Sequence, residues 1–410
     1  MRVVGLITEY NPFHNGHKYH LEQSKVQTNS DYSIALMSGN FVQRGEPAIV
    51  DKWHRAKMAI DSGVDLVLEL PTIYSTMSAE FFSYGAVRLL NSLNVVDSLS
   101  FGSESNDIEY FDKIASTLLN ESENFKNILK NYLDKGLSFP QARTNTLKEI
   151  LNDKNIIDIV KSPNNILAIE YIKALKKLNS TITPHSIQRI VADYNQANLT
   201  GEISSATSIR KTLLTDNSFI KNSYEAMSTS TLKHIDQYLH KYGKFNQLAN
   251  FNDILLYKLR TINPQHMRNL IDIENGLENR IIEASNQSNN IISIISSVKT
   301  KRYTYTRLQR ILTHILLDIN YDKNYILNFP LYARVLGSNS KGFKIINKIK
   351  SNSEIPIINK VADYKKSNNN PMFDLDIKAS NIYFLGTNNN TKIKSNFDYY
   401  ISPYIKLANK

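Results

Sequence analysis

Two histidines three residues apart, His14 and His17, form the pattern in this sequence that best fits a catalytic site. They belong to the segment Phe13-His14-Asn15-Gly16-His17, where a short apolar run has ended and a helical pattern begins. Residues at i and i+3 share one face of a helix, and Gly16 lets the backbone approach a bulky ligand. Because the amino end of a helix also presents unpaired N–H groups and a partial positive charge, we expect this segment to bind phosphate.

The two imidazoles of this segment, as cations or as hydrogen-bond donors, can stabilise charge that develops on an α-phosphate and a departing pyrophosphate. That chemistry is electrostatic and needs no nucleophilic side chain. For the segment alone, two other interpretations stay open: a chance match, or two histidines with a structural role. A metal site that includes His20 and Glu9 is a third, although the spacing differs from the HExxH pattern of zinc proteins.

A second candidate for phosphate binding is the segment ISSATSIR, from Ile203 to Arg210, which precedes another helical pattern. The hydroxyls of Ser204 and Ser205 can hold phosphate oxygens at a helix start, and Arg210 can form paired hydrogen bonds to them. By itself the segment is equally consistent with an ordinary serine cap. Chance explains the ordered pair of segments poorly, so we predict that both serve one phosphate site.

The elements that must position these residues alternate between short apolar runs and helical patterns. The apolar runs are Val3 to Ile7, Tyr32 to Met37, Val64 to Leu68, Ser98 to Phe101 and the candidate Ser186 to Ile190. This alternation predicts a parallel sheet whose ligands bind beyond the carboxyl ends of its strands. From about Asn217 long helical patterns follow one another. We therefore predict an α/β fold, with a Rossmann-like nucleotidyltransferase domain over residues 1–216 and a mainly α-helical domain over residues 217–410.

Composition limits the kind of protein further. The chain has 410 residues, of which 41% are hydrophobic, so it can bury a sizeable core and is too long for one typical domain. A formal net charge of +11 favours a polyanionic partner such as nucleic acid, although a merely basic surface would give the same number. The absence of cysteine excludes disulfides, thiolate zinc sites and cysteine nucleophiles. The sequence shows neither a signal peptide nor a membrane-spanning apolar run, so we expect a cytoplasmic protein with no membrane partner.

The best local candidate for RNA binding is the segment Lys299 to Arg310, which holds five basic residues, two tyrosines and no acid. Basic groups neutralise phosphates, and aromatic rings stack on unpaired bases. A solvated helix face is the alternative. A weaker second patch is Lys52, Arg55 and Lys57. The candidate RNA-binding residues of the main segment are Lys301, Arg302, Tyr303, Tyr305, Arg307 and Arg310.

Longer stretches of the sequence, which include the first of the two candidate phosphate-binding segments, resemble a known family. The strings are GLITEYNPFHNGHKYH from Gly5, MSGNFVQRGEPA from Met37, FGSE from Phe101, SPNNILAIEYIKAL from Ser162 and KRYTYTRLQRIL from Lys301. The chain resembles the HxGH nucleotidyltransferase superfamily and, within it, the tRNA(Met) cytidine acetate ligase family. That resemblance implies an ATP-dependent, RNA-modifying ligase. Such an enzyme activates acetate to acetyl-adenylate and then acetylates N4 of the wobble cytidine of elongator tRNA(Met).

The same resemblance implies the residues of the ATP site. Gly102, in the loop after the fourth strand, would lie against the nucleotide or be a simple turn glycine. Asn165 would offer its amide to adenine or ribose, or cap a helix, with Asn164 as a competitor for either role. Arg189 and Ile190 would approach from the same edge of the sheet. The ATP loop itself would consist of Ile7, Thr8, Glu9, Tyr10, Asn11, Pro12, Phe13, His14, Asn15, Gly16, His17, Lys18, Tyr19 and His20.

ATP is expected as a co-substrate, accompanied by Mg²⁺. The sequence does not identify protein ligands for that ion, and no tightly bound organic cofactor is expected. Two other functions stay open. One is a small-molecule adenylyltransferase or acid–amine ligase of the same superfamily that has no RNA substrate. The other is a nucleotide-binding regulatory module without turnover.

Overall fold

The computed structural model describes residues 1–189, 205–215, 225–320, 322–387 and 394–407. Its centre is a mixed sheet of eight strands, and a separate two-stranded hairpin lies beside it. The strands are Val3–Thr8 (β1), Tyr32–Ser38 (β2), Phe41–Val42 (β3), Glu46–Pro47 (β4), Leu66–Leu70 (β5), Ser98–Ser103 (β6), Thr183–Gln188 (β7), Ala333–Asn339 (β8), Ile357–Ile358 (β9) and Tyr404–Lys406 (β10).

Helices connect and cover the strands. In the described ranges the α-helices are Asn15–Gln27 (α1), Lys52–Asp61 (α2), Thr72–Ser75 (α3), Ala79–Ser92 (α4), Ile108–Leu119 (α5), Glu123–Asp134 (α6), Phe139–Leu151 (α7), Ile156–Ile159 (α8), Pro163–Lys177 (α9), Ala206–Thr215 (α10), Thr229–Tyr242 (α11), Asn252–Thr261 (α12), Pro264–Arg268 (α13), Leu277–Gln287 (α14), Ile291–Val298 (α15), Tyr305–Leu317 (α16), Lys323–Asn328 (α17), Ser340–Asn352 (α18), Val361–Lys365 (α19) and Pro371–Leu385 (α20). Short 3₁₀ turns lie at Leu248–Phe251 and Phe397–Tyr399. None of these helices combines the length and apolarity that a bilayer crossing requires.

The strand order is β10-β8-β5-β2-β1-β6-β7, with β9 beside β8. The five strands from β5 to β7 are parallel to one another, as the alternating pattern predicted. Every residue of β5 and all but the first of β2 are buried, which is typical of strands that helices cover on both faces. The carboxyl ends of β1, β2, β6 and β7 therefore open onto one edge of the sheet, where parallel α/β proteins bind their ligands.

Two strands from the C-terminal part of the chain extend this sheet. β8 pairs with β5 in the antiparallel direction, and β10 pairs with β8 in parallel. The sequence did not predict β8, because the run around Arg334 is interrupted by charged and polar residues. The division of the chain at residue 216 stays a prediction, and the two parts share one sheet.

A buried group of charges allows β8 to carry an arginine. Lys52 Nζ lies 2.8 Å from Glu69 Oε1 and 2.9 Å from Asp398 Oδ2. Arg334 NH1 lies 3.1 Å and 3.0 Å from the same two carboxylates. Burial, reinforced by the charge of Glu69, raises the pKa of the adjoining Asp376 to about 7. Lys52 is fully buried within this cluster, so its expected place in a surface RNA patch is wrong.

Candidate active site

The segment with the two histidines lies where β1 ends and α1 begins. Ile7 and Thr8 are the last residues of β1, and the loop reaches α1 through Tyr10 and Phe13, both about 1% exposed. The ring of Tyr10 lies 4.7 Å from that of Phe13 and 5.0 Å from that of His17, between centroids. These aromatic contacts hold the loop against the first turn of the helix.

His14 and His17 cap the helix and each other. The N–H of Gly16 donates to His14 Nδ1 at 3.1 Å, and the N–H of His14 donates to His17 Nδ1 at 3.3 Å. The two rings lie 3.7 Å apart between centroids. Because each Nδ1 accepts a backbone N–H, the hydrogen of each neutral ring is on Nε2. Both Nε2–H groups are therefore left as donors.

The charge state of both rings follows from their surroundings. Burial, with the charges of Arg189 and Arg210 as smaller causes, lowers the pKa of His14 to about 3. Burial also lowers the pKa of His17 well below its ordinary value, with His14 as the next cause. At neutral pH both rings are therefore uncharged. Of the two options left open by the sequence, the structure selects donor imidazoles.

The expected row of unpaired N–H groups at the amino end of α1 is not present. The N–H of Asn15 donates to the Ala226 carbonyl O at 3.0 Å, and that of Gly16 donates to His14 Nδ1. The N–H groups of His17 and Lys18 donate to the His14 carbonyl O at 2.9 and 3.2 Å. The prediction was wrong because the capping histidine and a distant carbonyl satisfy these donors. The backbone donors at this helix start are therefore already occupied.

Two arginines from distant parts of the chain reach this site. Arg189 follows β7 directly, and its N–H donates to the Ser103 carbonyl O at 3.0 Å. Arg210, on α10, donates from NH1 to the Asn11 carbonyl O at 3.0 Å. Both arginines contribute to lowering the pKa of His14, so their positive charge reaches the ring. The site thus combines fixed neutral donors with fixed cations.

Gly102 lies inside β6 and not in the loop after it, which corrects its expected position. A Cβ at Gly102 would lie 3.1 Å from Arg189 Cγ and 3.6 Å from Arg189 Cδ. Such a side chain would press on the arginine. The absence of a side chain at Gly102 therefore lets Arg189 lie along the end of β6.

Asn165 organises the loop after β6. Its Oδ1 accepts the N–H groups of Glu104 and Ser105 at 2.9 and 3.3 Å, and its Nδ2 donates to the Ile159 carbonyl O at 3.2 Å. The side-chain amide is thus hydrogen-bonded to the protein at both ends. The N-cap of α9 is Ser162, so helix capping is not the role of Asn165.

Glu104 was not predicted as a site residue, although it ends the string FGSE. Its Oε1 accepts from Asn164 Nδ2 at 2.6 Å and its Oε2 accepts the N–H of Asn165 at 3.0 Å. Asn164 Oδ1 in turn accepts from Arg189 NH1 at 3.4 Å. A chain of hydrogen bonds therefore connects the start of α9 with the arginine at the end of β7.

Of the remaining residues predicted to bind phosphate, some cap a helix and others lie outside the described residues. Ser205 Oγ accepts the N–H of Ser208 at 3.1 Å, as a helix cap does. Ile190 and Ser204 lie outside the described residues. Lys18, Tyr19 and His20 continue along α1, and burial, with a smaller contribution from Arg189, lowers the pKa of His20 to about 4. In the described ranges no three His, Asp or Glu side chains meet as a metal site.

Arg55 is a further residue whose expected role was wrong. It was placed in the weaker RNA patch, yet it is fully buried. Its guanidinium donates to the carbonyl oxygens of Val50 at 2.9 Å, Glu9 at 2.6 Å and Ser38 at 3.0 Å, and also to that of Gly39. It therefore connects the loops that follow β1 and β2.

Acidic residues from another part of the chain face the segment Lys299 to Arg310. Arg307 NH2 donates to the Asp272 carbonyl O at 2.7 Å and pairs with Glu274 Oε1 at 2.9 Å. Arg310 Nε lies 3.2 Å from Asp272 Oδ2. These arginines hold the start of α16 to the loop before α14, so less of their charge is available to RNA than the local sequence indicates.

The other RNA candidates differ in accessibility. The Arg302 side chain is 67% exposed although it pairs with Glu274, Lys301 is exposed, and Tyr305 is partly buried. Tyr303 is only 7% exposed, and the Arg307 guanidinium lies 5.4 Å from its ring centroid. The ring of Tyr303 therefore packs inside the protein and presents no free face to a base.

Similarity to known proteins extends over nearly the whole chain. The model of the family HIGH Nucleotidyl Transferase matches residues 1–398. The tRNA(Met) cytidine acetate ligase of Clostridium perfringens (strain SM101 / Type A) is 47% identical over 99% of this chain and 100% of its own length. That of Thermoanaerobacter sp. (strain X514) is 46% identical over the same shares.

Two crystal structures of Thermotoga maritima TmcAL resemble the whole chain. The apo structure, form I, superposes with a TM-score of 0.93 at 32% identity and covers 100% of both chains. The structure bound with alpha-thio ATP, form II, gives a TM-score of 0.91 at the same identity and coverage.

Proposed function

Because this chain belongs to the HIGH nucleotidyl transferase family and, within it, to the tRNA(Met) cytidine acetate ligases, we propose that it performs their reaction with the residues described above. In the first step an acetate oxygen attacks the α-phosphorus of ATP, and pyrophosphate leaves. In the second step the N4 amine of the wobble cytidine of elongator tRNA(Met) attacks the acetyl carbon of the adenylate, and AMP leaves. The chain is thus an ATP-dependent, tRNA-modifying ligase.

The proposal depends most on the two fixed imidazole tautomers. His14 and His17 each keep Nε2–H as a donor because a backbone N–H occupies Nδ1. Donors that are already oriented stabilise charge on phosphate oxygens without the cost of reorientation during the reaction. Arg189 and Arg210 add positive charge close to them. This arrangement suits the departure of pyrophosphate.

We assign residues 7–20, Gly102, Asn165 and Arg189 to the ATP site. The histidines and arginines contact phosphates. Gly102 makes room for the Arg189 side chain, and Asn165 fixes the backbone of the loop that follows β6. Asn165 therefore acts on the nucleotide through that loop, since both ends of its amide are already hydrogen-bonded.

Magnesium enters this scheme with ATP. The carboxylates nearest the site fit a protein-held ion poorly. Glu9 accepts the N–H of Gln43 at 2.9 Å, Glu104 is held by Asn164 and Asn165, and Glu46 pairs with Arg210 at 3.5 Å. The triphosphate oxygens are the better ligands, and no step above is assigned to the ion.

For tRNA we propose the accessible part of the segment 299–310, above all Lys301 and Arg302. Their contacts would be with phosphates, so tRNA affinity should fall as salt rises. Acetate supplies the acyl group, and the cytoplasm, where tRNA is used in translation, is the proposed location.

The test is to incubate the protein with ATP, acetate and elongator tRNA(Met) and to analyse the nucleosides by mass spectrometry. We expect N4-acetylcytidine at the wobble position, with AMP and pyrophosphate formed in step with it. Adenylylation of a small molecule without change to the tRNA would favour the alternative ligase or adenylyltransferase. ATP binding without turnover would favour a regulatory module.

A further inference from the structure

The second half-reaction needs a proton acceptor, and the histidines are poorly placed for that role. When N4 of cytidine bonds to the acetyl carbon, the bond from that carbon to the AMP oxygen breaks and the nitrogen must lose a proton. The only lone pair of each neutral ring, on Nδ1 of His14 and of His17, already accepts a backbone N–H. His20 Nε2 is shut off from solvent. These contacts favour an acceptor other than His14 and His17 for that proton.

Glu46 is a carboxylate positioned between the ATP loop and α16. Arg210 connects it to the ATP loop, since NH1 donates to the Asn11 carbonyl O at 3.0 Å and NH2 lies 3.5 Å from Glu46 Oε1. On the other side the side chain of Gln309, on α16, lies close enough to the Glu46 carboxyl to lower its pKa. Its side chain is 26% exposed, so a substrate can reach it.

The hairpin that carries Glu46 is fixed rather than loose. Phe41 pairs with Pro47 and Val42 pairs with Glu46. The turn rests on α16, where the Thr313 hydroxyl donates to the Gly45 carbonyl O at 2.8 Å. The carboxylate therefore keeps its position between the nucleotide and the segment proposed to meet tRNA.

We propose that Glu46 accepts the proton that N4 of the tRNA cytidine loses during acetyl transfer. This inference rests on the proposed function. The carboxylate takes the proton as the N–C bond forms, and AMP leaves with the electron pair of the broken C–O bond. Burial raises the pKa of the Glu46 carboxyl above its ordinary value, an effect that Arg210 opposes, while Glu9 and Arg44 are the other charged groups around it. Glu104 is another nearby glutamate, and the start of α9 holds both of its oxygens, since Oε1 accepts from Asn164 Nδ2 and Oε2 accepts the N–H of Asn165.

The test separates the two half-reactions in Glu46→Gln. Acetate-dependent exchange of pyrophosphate into ATP should stay within about twofold of wild type. The single-turnover rate of acetyl transfer at saturating tRNA should fall at least ~100-fold. The rise of that rate with pH, which titration of the carboxylate produces, should disappear. Glu46→Asp, which keeps a carboxylate, should retain part of the rate, and Glu283→Gln, an exposed glutamate on α14, should behave as wild type.

Three outcomes would overturn the inference. Unchanged transfer in Glu46→Gln places the acceptor elsewhere. Equal loss of exchange and transfer would mean that Glu46 only holds the ATP loop through Arg210. Weaker tRNA binding with an unchanged saturated rate would make it a binding residue. If the wild-type protein forms no acetylcytidine, the proposed function itself is contradicted. That result is distinguishable from failure of the Glu46 inference, which requires an active wild type.

Discussion

Replacement of Gly45 by alanine tests whether the hairpin of β3 and β4 is held on α16. Gly45 has φ of +74°, and a Cβ added there would lie 2.5 Å from the Cα of Arg310 and 2.5 Å from the carbonyl carbon of Gln309. These neighbours belong to a helix backbone, so they cannot turn aside as a flexible side chain would. The hairpin must therefore move away from the helix.

The magnitude has two parts. The left-handed backbone costs a residue with a Cβ about 1–2 kcal/mol, and the overlap with packed backbone costs about 1–3 kcal/mol more. We expect Gly45→Ala to lower the free energy of unfolding by about 2–5 kcal/mol, out of a total of about 5–15 kcal/mol for a typical protein. Denaturant unfolding can be followed by the fluorescence of Trp53, which is the single tryptophan and only 4% exposed.

A matched control isolates the overlap. Gly136 has φ of +83°, and a Cβ there would meet nothing within 4 Å. Gly136→Ala should therefore cost only the backbone part, about 1–2 kcal/mol. If Gly45→Ala destabilises the protein no more than Gly136→Ala does, the hairpin is not packed on α16 in solution. The placement of Glu46 between nucleotide and tRNA would then lose its basis.

His14→Ala and His17→Ala should each lower acetate-dependent pyrophosphate exchange by ~10–1000-fold and leave the circular dichroism spectrum unchanged; exchange at the wild-type rate would contradict the assignment of both donors. Asp376 has a folded-state pKa raised to about 7, so its contribution to stability is present below about pH 4 and is lost as pH rises to about 7. The free energy of unfolding of Asp376→Asn, measured with urea, should therefore rise relative to that of wild type by up to about 1.4 kcal/mol per pH unit between about pH 4 and pH 7. A difference between the two proteins that does not change with pH would refute the argument that Asp376 is a buried acid. Replacing Lys301 and Arg302 together by alanine should weaken tRNA binding. The slope of the logarithm of tRNA affinity against the logarithm of salt concentration should become shallower by about the amount expected for two lost phosphate contacts. Pyrophosphate exchange should persist in that double variant; its loss would contradict the separation of the two surfaces.

Several local features could be predicted from the sequence alone. The alternation of apolar runs and helical patterns identified β1, β2, β5 and β6, because a parallel strand that helices cover on both faces is a continuous apolar run in the sequence. The short hairpin strands β3 and β4 were not predicted. The position of His14 and His17 between β1 and α1 followed from the same local pattern. Even the pairing of these histidines is local, since Gly16 and the N–H of His14 are their hydrogen-bond partners.

Features that depend on partners far along the chain were missed. The sequence places no acid within the segment 299–310, yet Asp272 and Glu274 pair with its arginines. The local sequence predicts that Arg55 is exposed, although its guanidinium is enclosed by three loops. The sequence of β8 does not predict a buried strand, because its Arg334 finds its partner Asp398 only in the folded protein. Local pattern does not reveal whether a charge is solvated or buried against a distant partner.

The amino-acid sequence by itself determined the family, the parallel sheet and the strand end that presents two imidazoles, since each leaves a recognisable pattern within short stretches of the chain. Only the tertiary structure decided that these imidazoles are neutral, that the N–H groups of α1 are already satisfied, and that Glu46 lies between the ATP loop and α16. The physical reason is that desolvation and charge pairing are set by whatever surrounds a group in space. For His14 those surroundings include Arg189 and Arg210, which lie 175 and 196 residues further along the chain.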